Sequence, residues 1–341
     1  MINNTFWKNK NILITGINGF VGSNLAKYFI SLGANVFGIS KKIIDNSLLD
    51  YENLSQNVNF NLISLCDYEV VCSFFKTNQI DVCFHLAAQV EVGVANKNPL
   101  STWETNVRGT YNLLESIRLF NPNIKAIIVA SSDKAYGSYD ESEMPYKEEY
   151  PLKPQYPYDT SKACADLIAR SYASDIYQLP IAITRFANIY GPGQLNFSAL
   201  FPDCIRSALG YSKFIPRGDG SHIRDFLFID DVISLYSLIS SKLIHESKSI
   251  TGQVFNAGTN EPRAVKDIIN IIYNKIGNID DLSQVNMQLN NNTTIGEIDC
   301  QYMDYDKVNN FFNWKPETPF DLGIDKTIKW YDSYLKKIYI K

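Results

Sequence analysis

Short apolar runs alternate with longer amphipathic stretches along the first half of the chain. Each run has the length of a buried strand, and the runs occupy residues 12–14, 36–39, 82–85, 126–129 and 181–184. Val58, Phe60 and Leu62 alternate with polar residues as in a further strand. Between the strands, apolar residues recur at helical spacing, as in the stretch 21–32 that precedes Gly33. This alternation predicts an α/β fold with a doubly wound parallel sheet.

The pattern loosens beyond about residue 190. Glycine and proline interrupt the chain at 191–193 and 216–220, and Asn290–Thr294 form a polar stretch expected at the surface. Helical stripes recur at 230–244, 264–277 and 321–337. We therefore predict a doubly wound domain over residues 1–190, with a returning segment near 226–258. A smaller C-terminal α/β lobe is predicted over residues 191–341.

Composition narrows the class of protein. The 341 residues carry 32 basic and 36 acidic side chains, a net charge of −4, which argues against partners such as nucleic acid or a membrane surface. No apolar window approaches the roughly 18 residues of a membrane span, and Met1–Lys10 do not resemble a signal peptide. Six cysteines without CxxC spacing and three histidines predict reduced thiols, a cytoplasmic location and no metal site.

A glycine-rich turn follows the first predicted strand. Gly16, Gly19 and Gly22 lie between that strand and the first helix, where a tight turn lets the backbone and the helix N-terminus approach a diphosphate. The placement predicts a dinucleotide site; the alternative is a strand-to-helix turn without a ligand.

The end of the second strand bears on the choice of dinucleotide. The run Ser40-Lys41-Lys42 lacks the carboxylate that binds the ribose of NAD, so the sequence leans slightly towards NADP. Two solvated lysines beside NAD are the alternative interpretation.

Two further sets of residues are candidates for acid–base catalysis. Tyr158 and Lys162 share a helix face, where the ammonium is expected to lower the pKa of the phenol and make it a general base. Ser132, Asp133 and Lys134 end the fifth strand, at the edge where open α/β sheets place their sites. They supply a hydroxyl, a carboxyl and an amine; the alternative is a simple turn or helix cap.

Several motifs together resemble one enzyme family over essentially the whole chain. They are Thr15 to Gly22, His85 to Gln89, Thr105 to Thr110, Tyr158 to Lys162, Arg185 to Gly193 and Arg224 to Phe226. In this order they resemble the extended short-chain dehydrogenases/reductases of the sugar-nucleotide epimerase/dehydratase family, which have a Rossmann fold. Phe6 to Lys8 and the Ser-Asp-Lys run are most similar to the nucleotide-hexose 4,6-dehydratases, CDP-glucose 4,6-dehydratase among them.

The resemblance implies a mechanism for these residues. Tyr158, held by Lys162, takes the O4 proton while C4 loses hydride to NAD or NADP, and Ser132 binds the same oxygen. Lys134 then removes the C5 proton, and Asp133 protonates the departing C6 hydroxyl. Hydride return to C6 regenerates the tightly bound cofactor and gives a 4-keto-6-deoxy sugar. A 4-epimerase or 4-reductase on the same fold is the alternative, and a catalytically dead relative is a third interpretation.

The resemblance also implies binding residues and a partner. The C-terminal lobe should bind the nucleotide sugar, whose base and C2 substituent stay open among CDP-glucose and GDP- or UDP-linked hexoses or N-acetylhexosamines. His85 is expected to be structural, and Arg185 either structural or a surface residue. A homodimer is expected through helices near 98–119 and 158–176. The implied cofactor-binding residues are Gly16, Asn18, Gly19, Phe20, Val21, Gly22, Ser40, Lys41, Leu65, Leu86, Ala87, Ala88, Tyr158 and Lys162. The implied substrate-binding residues are Gln89, Asn188, Arg217 and Arg224.

Overall fold

The computed structural model describes residues 6–289 and 298–339, so the predicted polar stretch Asn290–Thr294 lies outside the described residues. Strands in the described residues are β1 (Asn11–Thr15), β2 (Asn35–Ser40), β3 (Val58–Leu62), β4 (Val82–His85), β5 (Ala126–Ala130), β6 (Ile181–Phe186), β7 (Asn188–Tyr190), β8 (Ile223–Arg224), β9 (Phe226–Phe228), β10 (Val254–Ala257), β11 (Arg263–Ala264) and β12 (Cys300–Gln301).

The α-helices of the same residues complete the element list. They are α1 (Phe20–Ser31), α2 (Leu48–Tyr51), α3 (Tyr68–Thr77), α4 (Val92–Lys97), α5 (Pro99–Trp103), α6 (Gly109–Phe120), α7 (Pro157–Ala173), α8 (Leu200–Ala208), α9 (Ile229–His245), α10 (Ser247–Ile250), α11 (Val265–Ile276), α12 (Ile279–Leu289), α13 (Asp306–Phe312) and α14 (Phe320–Tyr339). A π-helical turn over Glu104–Arg108 joins α5 to α6, and 3₁₀ turns follow β5.

Seven parallel strands form the main sheet, in the order β10-β6-β5-β4-β1-β2-β3. Ile12 of β1 pairs with Val36 on one side and with Val82 on the other. This arrangement confirms the predicted doubly wound sheet. The strand order reverses beside β1, so the carboxyl ends of β1 and β4 open a crevice where such sheets bind ligands.

Helices cover both faces of this sheet because each buries one apolar stripe against it. On one face α1 buries Leu25 and Phe29, and Phe29 packs 5.3 Å from the ring of Phe84 on β4. Gly33 follows α1 with φ +73°, and its amide closes the last turn onto the Ile30 carbonyl. On the other face α3 and α6 pack together over β1, β4 and β5.

The second half of the chain contributes to the main sheet and builds smaller ones. β10 pairs with β6 and forms one edge of the main sheet, and α9 packs on β5 and α1. β8 lies between β11 and β12 in a three-stranded sheet, while β7 pairs with β9. The domain boundary at residue 190 stays a prediction. Among residues 6–289 and 298–339, no helix is long and apolar enough to cross a lipid bilayer.

Candidate active site

The carboxyl ends of four neighbouring strands gather most of the predicted site residues. The glycine turn follows β1, residues 86–89 follow β4, residues 131–134 follow β5, and Asn188 follows β6. Parallel pairing of β1, β4, β5 and β6 places these segments along one edge of the sheet. The edge is the place where open α/β sheets hold their ligands.

The glycine turn is packed too closely for side chains. Gly16 has φ +71°, and a Cβ there would lie 2.9 Å from the Cα of Ala87; a Cβ on Gly22 would lie 2.4 Å from the Gly16 carbonyl oxygen. Gly19 caps α1 without any side chain bonding to the first turn, so the amides of Phe20 and Val21 are left for a ligand. These features fit the diphosphate of a dinucleotide.

Thr15 and His85 fix the loop that faces this turn. Thr15 Oγ1 accepts from the amides of Leu86 (3.2 Å) and Ala87 (3.1 Å), so its proton goes to His85 Nδ1 at 2.9 Å. His85 therefore carries its own proton on Nε2, which lies 2.8 Å from Thr110 Oγ1. Burial, helped by the Lys162 charge, lowers the pKa of His85 to about 3. His85 is a neutral structural residue, as expected.

The remaining predicted cofactor residues lie at or after the carboxyl ends of β1 to β4. Ser40 Oγ donates to the Lys42 carbonyl at 2.9 Å and Asn18 Nδ2 donates to it at 3.1 Å, while the Lys41 side chain is exposed. Leu65 is buried, and its carbonyl accepts from Asn112 Nδ2 at 2.8 Å. Leu86, Ala87 and Ala88 are half-buried in the loop after β4.

Helix α7 carries the tyrosine and the lysine into the site. Tyr158 and Lys162 are both buried, and the Lys162 ammonium donates to the carbonyl of Ala130 at the end of β5. Burial lowers the pKa of Lys162 to about 8, against the charge of Asp166. Burial also raises the pKa of Tyr158, which a hydrogen bond with Ser132 only partly offsets. The expected lowering of the Tyr158 pKa is wrong for this structure, because the desolvation of the phenol outweighs the nearby groups.

Asp133 is a buried carboxyl that accepts two hydrogen bonds. It is 5 % exposed in the 3₁₀ turn after β5, and its Oδ1 accepts from Ser132 Oγ (2.8 Å) and from the Lys134 amide (2.7 Å). Burial raises the pKa of the Asp133 carboxyl despite the charges of Lys134 and Arg224. The raised pKa favours the protonated form that can give a proton to a leaving group. Ser132 also accepts from the Lys134 amide at 3.2 Å, so its hydroxyl caps this turn as well.

The predicted substrate residues come from both halves of the chain. Arg224 on β8 is buried, and its Nη1 donates to the carbonyls of Ile223 (2.8 Å) and Asp299 (3.2 Å). The positive charge of Arg224 lowers the pKa of the Asp133 carboxyl, so the fold brings these two residues close together. Asn188 Nδ2 is 3.5 Å from the Asp225 carbonyl.

The other two candidates lie on loops. Arg217 is exposed and donates to the carbonyl of Ser198. Gln89 is half-buried, and its Nε2 donates to the Glu91 carbonyl at 3.0 Å.

Asn106 is a site residue that sequence reasoning left unassigned. It lies in the π-helical turn, a local geometry often found at functional sites. Its side chain bonds both the amide (2.7 Å) and the carbonyl (3.0 Å) of Gln89, and donates to Ser161 Oγ on α7 at 2.8 Å. Asn106 thus ties the loop after β4 to the helix that carries Tyr158. Asn106 lies within the motif Thr105 to Thr110, which supports the family resemblance and could have indicated this residue.

Gln301 and Tyr146 are further neighbours of the site that the sequence did not indicate. Gln301 Oε1 lies 3.5 Å from Lys134 Nζ, and the Gln301 side chain lies beside the phenol of Tyr146. Both residues are buried. Gln301 is far from Lys134 along the chain, so only the fold could reveal this contact.

Arg185 proves to be structural. It is fully buried, and its Nε and Nη2 pair with the two carboxylate oxygens of Asp166 at 2.8 and 3.0 Å. Of the two expectations for Arg185, a structural residue or a surface residue, the structure shows the first. In the stretches 6–289 and 298–339, no three His, Cys, Asp or Glu side chains are gathered as a metal site would require.

Comparison with known proteins identifies a family with this arrangement. A family model described as GDP-mannose 4,6 dehydratase matches residues 13–327. A probable dTDP-glucose 4,6-dehydratase of Sinorhizobium fredii is 31 % identical, covering 94 % of this chain and 92 % of its own. The human dTDP-D-glucose 4,6-dehydratase is 28 % identical, covering 94 % and 90 %. The crystal structure of dTDP-glucose 4,6-dehydratase from Bacillus anthracis in complex with NAD is 28 % identical and superposes with a TM-score of 0.79 over 95 % of this chain and 97 % of that one.

Proposed function

This chain belongs to the GDP-mannose 4,6 dehydratase family, and we propose that it is a nucleotide-sugar 4,6-dehydratase. Its substrate would be an NDP-hexose and its product the NDP-4-keto-6-deoxy sugar. The observation that carries this proposal is the pairing of a buried carboxyl, Asp133, with the Lys134 amine beside Tyr158 and Ser132. That set holds both a base and an acid for loss of water across C5–C6.

The first half of the proposed reaction oxidises C4. Tyr158 would accept the O4 proton as a phenolate, the form that burial disfavours in the protein alone, and Ser132, already bonded to the phenol, holds the same oxygen. When bound, the nicotinamide cofactor supplies reversible hydride transfer. Lys162 keeps its contact with the Ala130 carbonyl, which anchors α7 against the end of β5.

The second half eliminates water. The 4-ketone acidifies C5, the Lys134 amine takes the C5 proton, and the C6–O bond breaks as Asp133 gives its proton to the departing hydroxyl. The raised pKa of Asp133 suits this role because the carboxyl still holds a proton near neutral pH more readily than an exposed one. A C4 epimerase needs neither a C5 base nor a C6 acid, so Asp133 and Lys134 favour the dehydratase.

Incubation with a panel of nucleotide hexoses tests the proposal. CDP-glucose and GDP- and UDP-linked hexoses and N-acetylhexosamines are compared, with mass spectrometry to detect loss of water. We expect at least one to yield the 4-keto-6-deoxy product. Lys134→Ala should slow product formation by about 10²- to 10⁴-fold while 4-oxidation persists, as for removal of a general base.

The exposed Lys147, in the loop after the same strand, provides the matched control, and Lys147→Ala should keep wild-type activity. Full product formation by Lys134→Ala would contradict the role given to Lys134. Exchange of the C4 configuration without loss of water would favour the epimerase instead.

The binding residues are proposed on the same basis. Residues 1–190 would hold NAD or NADP through the glycine turn and the segments around Ser40, Leu65 and Leu86. The lobe over 191–341 would bind the sugar diphosphate through Arg217 and Arg224, with Gln89 and Asn188 from the first domain. Six free thiols are in keeping with the cytoplasmic location we propose.

A further inference from the structure

Gln301 joins the C-terminal lobe to the proposed base. It lies on β12, where it pairs in register with Arg224 of β8, and it is 1 % exposed. Its Oε1 is 3.5 Å from Lys134 Nζ. We propose that Gln301 is a positioning residue that holds the Lys134 amine towards the substrate through a neutral amide acceptor. This inference rests on the proposed function.

The amide oxygen is the end of Gln301 that faces Lys134. The amide nitrogen on the other end is buried and makes no hydrogen bond within the described residues. Tyr146, which donates its hydroxyl proton to the Gly137 carbonyl, lies beside Gln301. Burial between β8 and Tyr146 leaves the amide little freedom to turn over.

The neutral charge of Gln301 matters for a lysine that acts as a base. An amine that has lost its third proton keeps two N–H donors, so it can still donate to Gln301 while its lone pair faces C5. A carboxylate at position 301 would instead stabilise the ammonium. Gln301 therefore holds the amine without favouring its charged form.

The other charged and titratable groups around Lys134 come from several elements. Asp133 precedes it in the same turn, Arg224 approaches from β8, and Tyr146 lies in the loop after β5. Tyr158 of α7 also lies near the carboxyl of Asp133, whose charge raises the pKa of the Tyr158 phenol. These groups are unchanged in a Gln301 variant, so a shift in its pH profile reports on position 301.

Two substitutions test this inference. In Gln301→Glu, the acidic limb of the pH profile of kcat/KM should move up by about one pH unit, because the new carboxylate stabilises the ammonium. In Gln301→Met, which keeps the length of the side chain, kcat should fall about 10-fold with KM nearly unchanged, because the amine loses the amide acceptor that orients it. Exchange of the C5 proton with deuterated solvent should slow in both variants.

Gln253→Glu is the matched control, since Gln253 precedes β10 at the opposite edge of the sheet from the site. Its pH profile should follow that of the wild type. If Gln301→Glu does not fold, as judged by thermal melting, Gln301→Met alone decides the question through C5 exchange.

Profiles and exchange rates equal to those of the wild type in the folded variants would overturn the role of Gln301 alone. A wild-type enzyme that removes no water from any nucleotide hexose would overturn the proposed function instead. The two failures are thus distinguishable.

Discussion

Burial sets the protonation state of the individual residues around the site. It raises the pKa of the carboxyl of Asp133 and lowers the pKa values of His85 and Lys162 to about 3 and about 8. All three shifts favour the neutral form, because a charged group loses hydration inside the fold. Burial thus favours the protonated carboxyl of Asp133 and the neutral imidazole of His85, which positions the backbone.

The individual lysines after β2 also allow a prediction about which dinucleotide the protein binds. We propose that NADP binds at least as well as NAD, since Ser40 offers no carboxylate to repel the additional phosphate and Lys41 is exposed beside it. Lys41→Asp should weaken NADP binding relative to NAD by about 10-fold, an interaction of roughly 1.4 kcal/mol. Titration of both dinucleotides by calorimetry measures the ratio.

The same charge change on the exposed Lys329 of α14 should leave the ratio unchanged. If the wild-type protein binds NAD but not detectably NADP, the predicted preference for NADP is wrong.

Helix α7 carries two site residues and is also fixed to the sheet by a buried ion pair. One face carries Tyr158 and Lys162 into the site, and one turn further on Asp166 pairs with Arg185 of β6 and with Arg170. Asp166 is fully buried, and its charge also raises the pKa of Lys162 against the effect of burial. The ion pair therefore fixes the helix to the sheet and tunes the lysine.

Removal of this buried carboxylate tests its role. Asp166→Asn should lower the free energy of unfolding by about 3–5 kcal/mol, because Arg185 is left charged and uncompensated in the core. It should also lower the pKa of Lys162 further. Urea denaturation measures the first effect.

Glu246→Gln, which breaks an exposed pair with Lys242 on α9, should cost less than about 1 kcal/mol. An Asp166→Asn protein as stable as the wild type would show that Arg185 does not depend on this partner.

The whole molecule leaves an apolar helical surface uncovered. Leu100 of α5, Tyr111 of α6 and Leu167 of α7 are exposed, and α6 packs beside α7. We propose that a second copy of the chain covers this surface, giving a homodimer through the helices near 98–119 and 158–176. An exposed apolar surface on neighbouring helices is typical of such interfaces.

A charge placed in this surface should dissociate the dimer. Leu167 is 56 % exposed, and Leu167→Glu should convert a dimer into a folded monomer, measured by sedimentation or light scattering. Leu322, on α14 and 47 % exposed, provides the control, since Leu322→Glu should stay dimeric. A wild-type chain that sediments as a monomer would disprove the interface.

Local patterns in the sequence determined most of the elements. The strands β1, β2 and β4–β6 coincide with the apolar runs, and α1 ends at Ser31, just before Gly33, because burial periodicity and glycine turns act within a few residues. The alternation of these elements also determined the parallel sheet and the edge on which the site lies.

Contacts between distant segments were decided by the tertiary structure alone. Gln301 meets Lys134, and Asn106 joins Gln89 to α7, through side chains that no local pattern relates. The pKa direction of Tyr158 also needed the fold, because desolvation depends on everything packed around the phenol. The sequence thus determined which chemical groups reach the sheet edge, and the packing of the two halves decided their partners and their protonation.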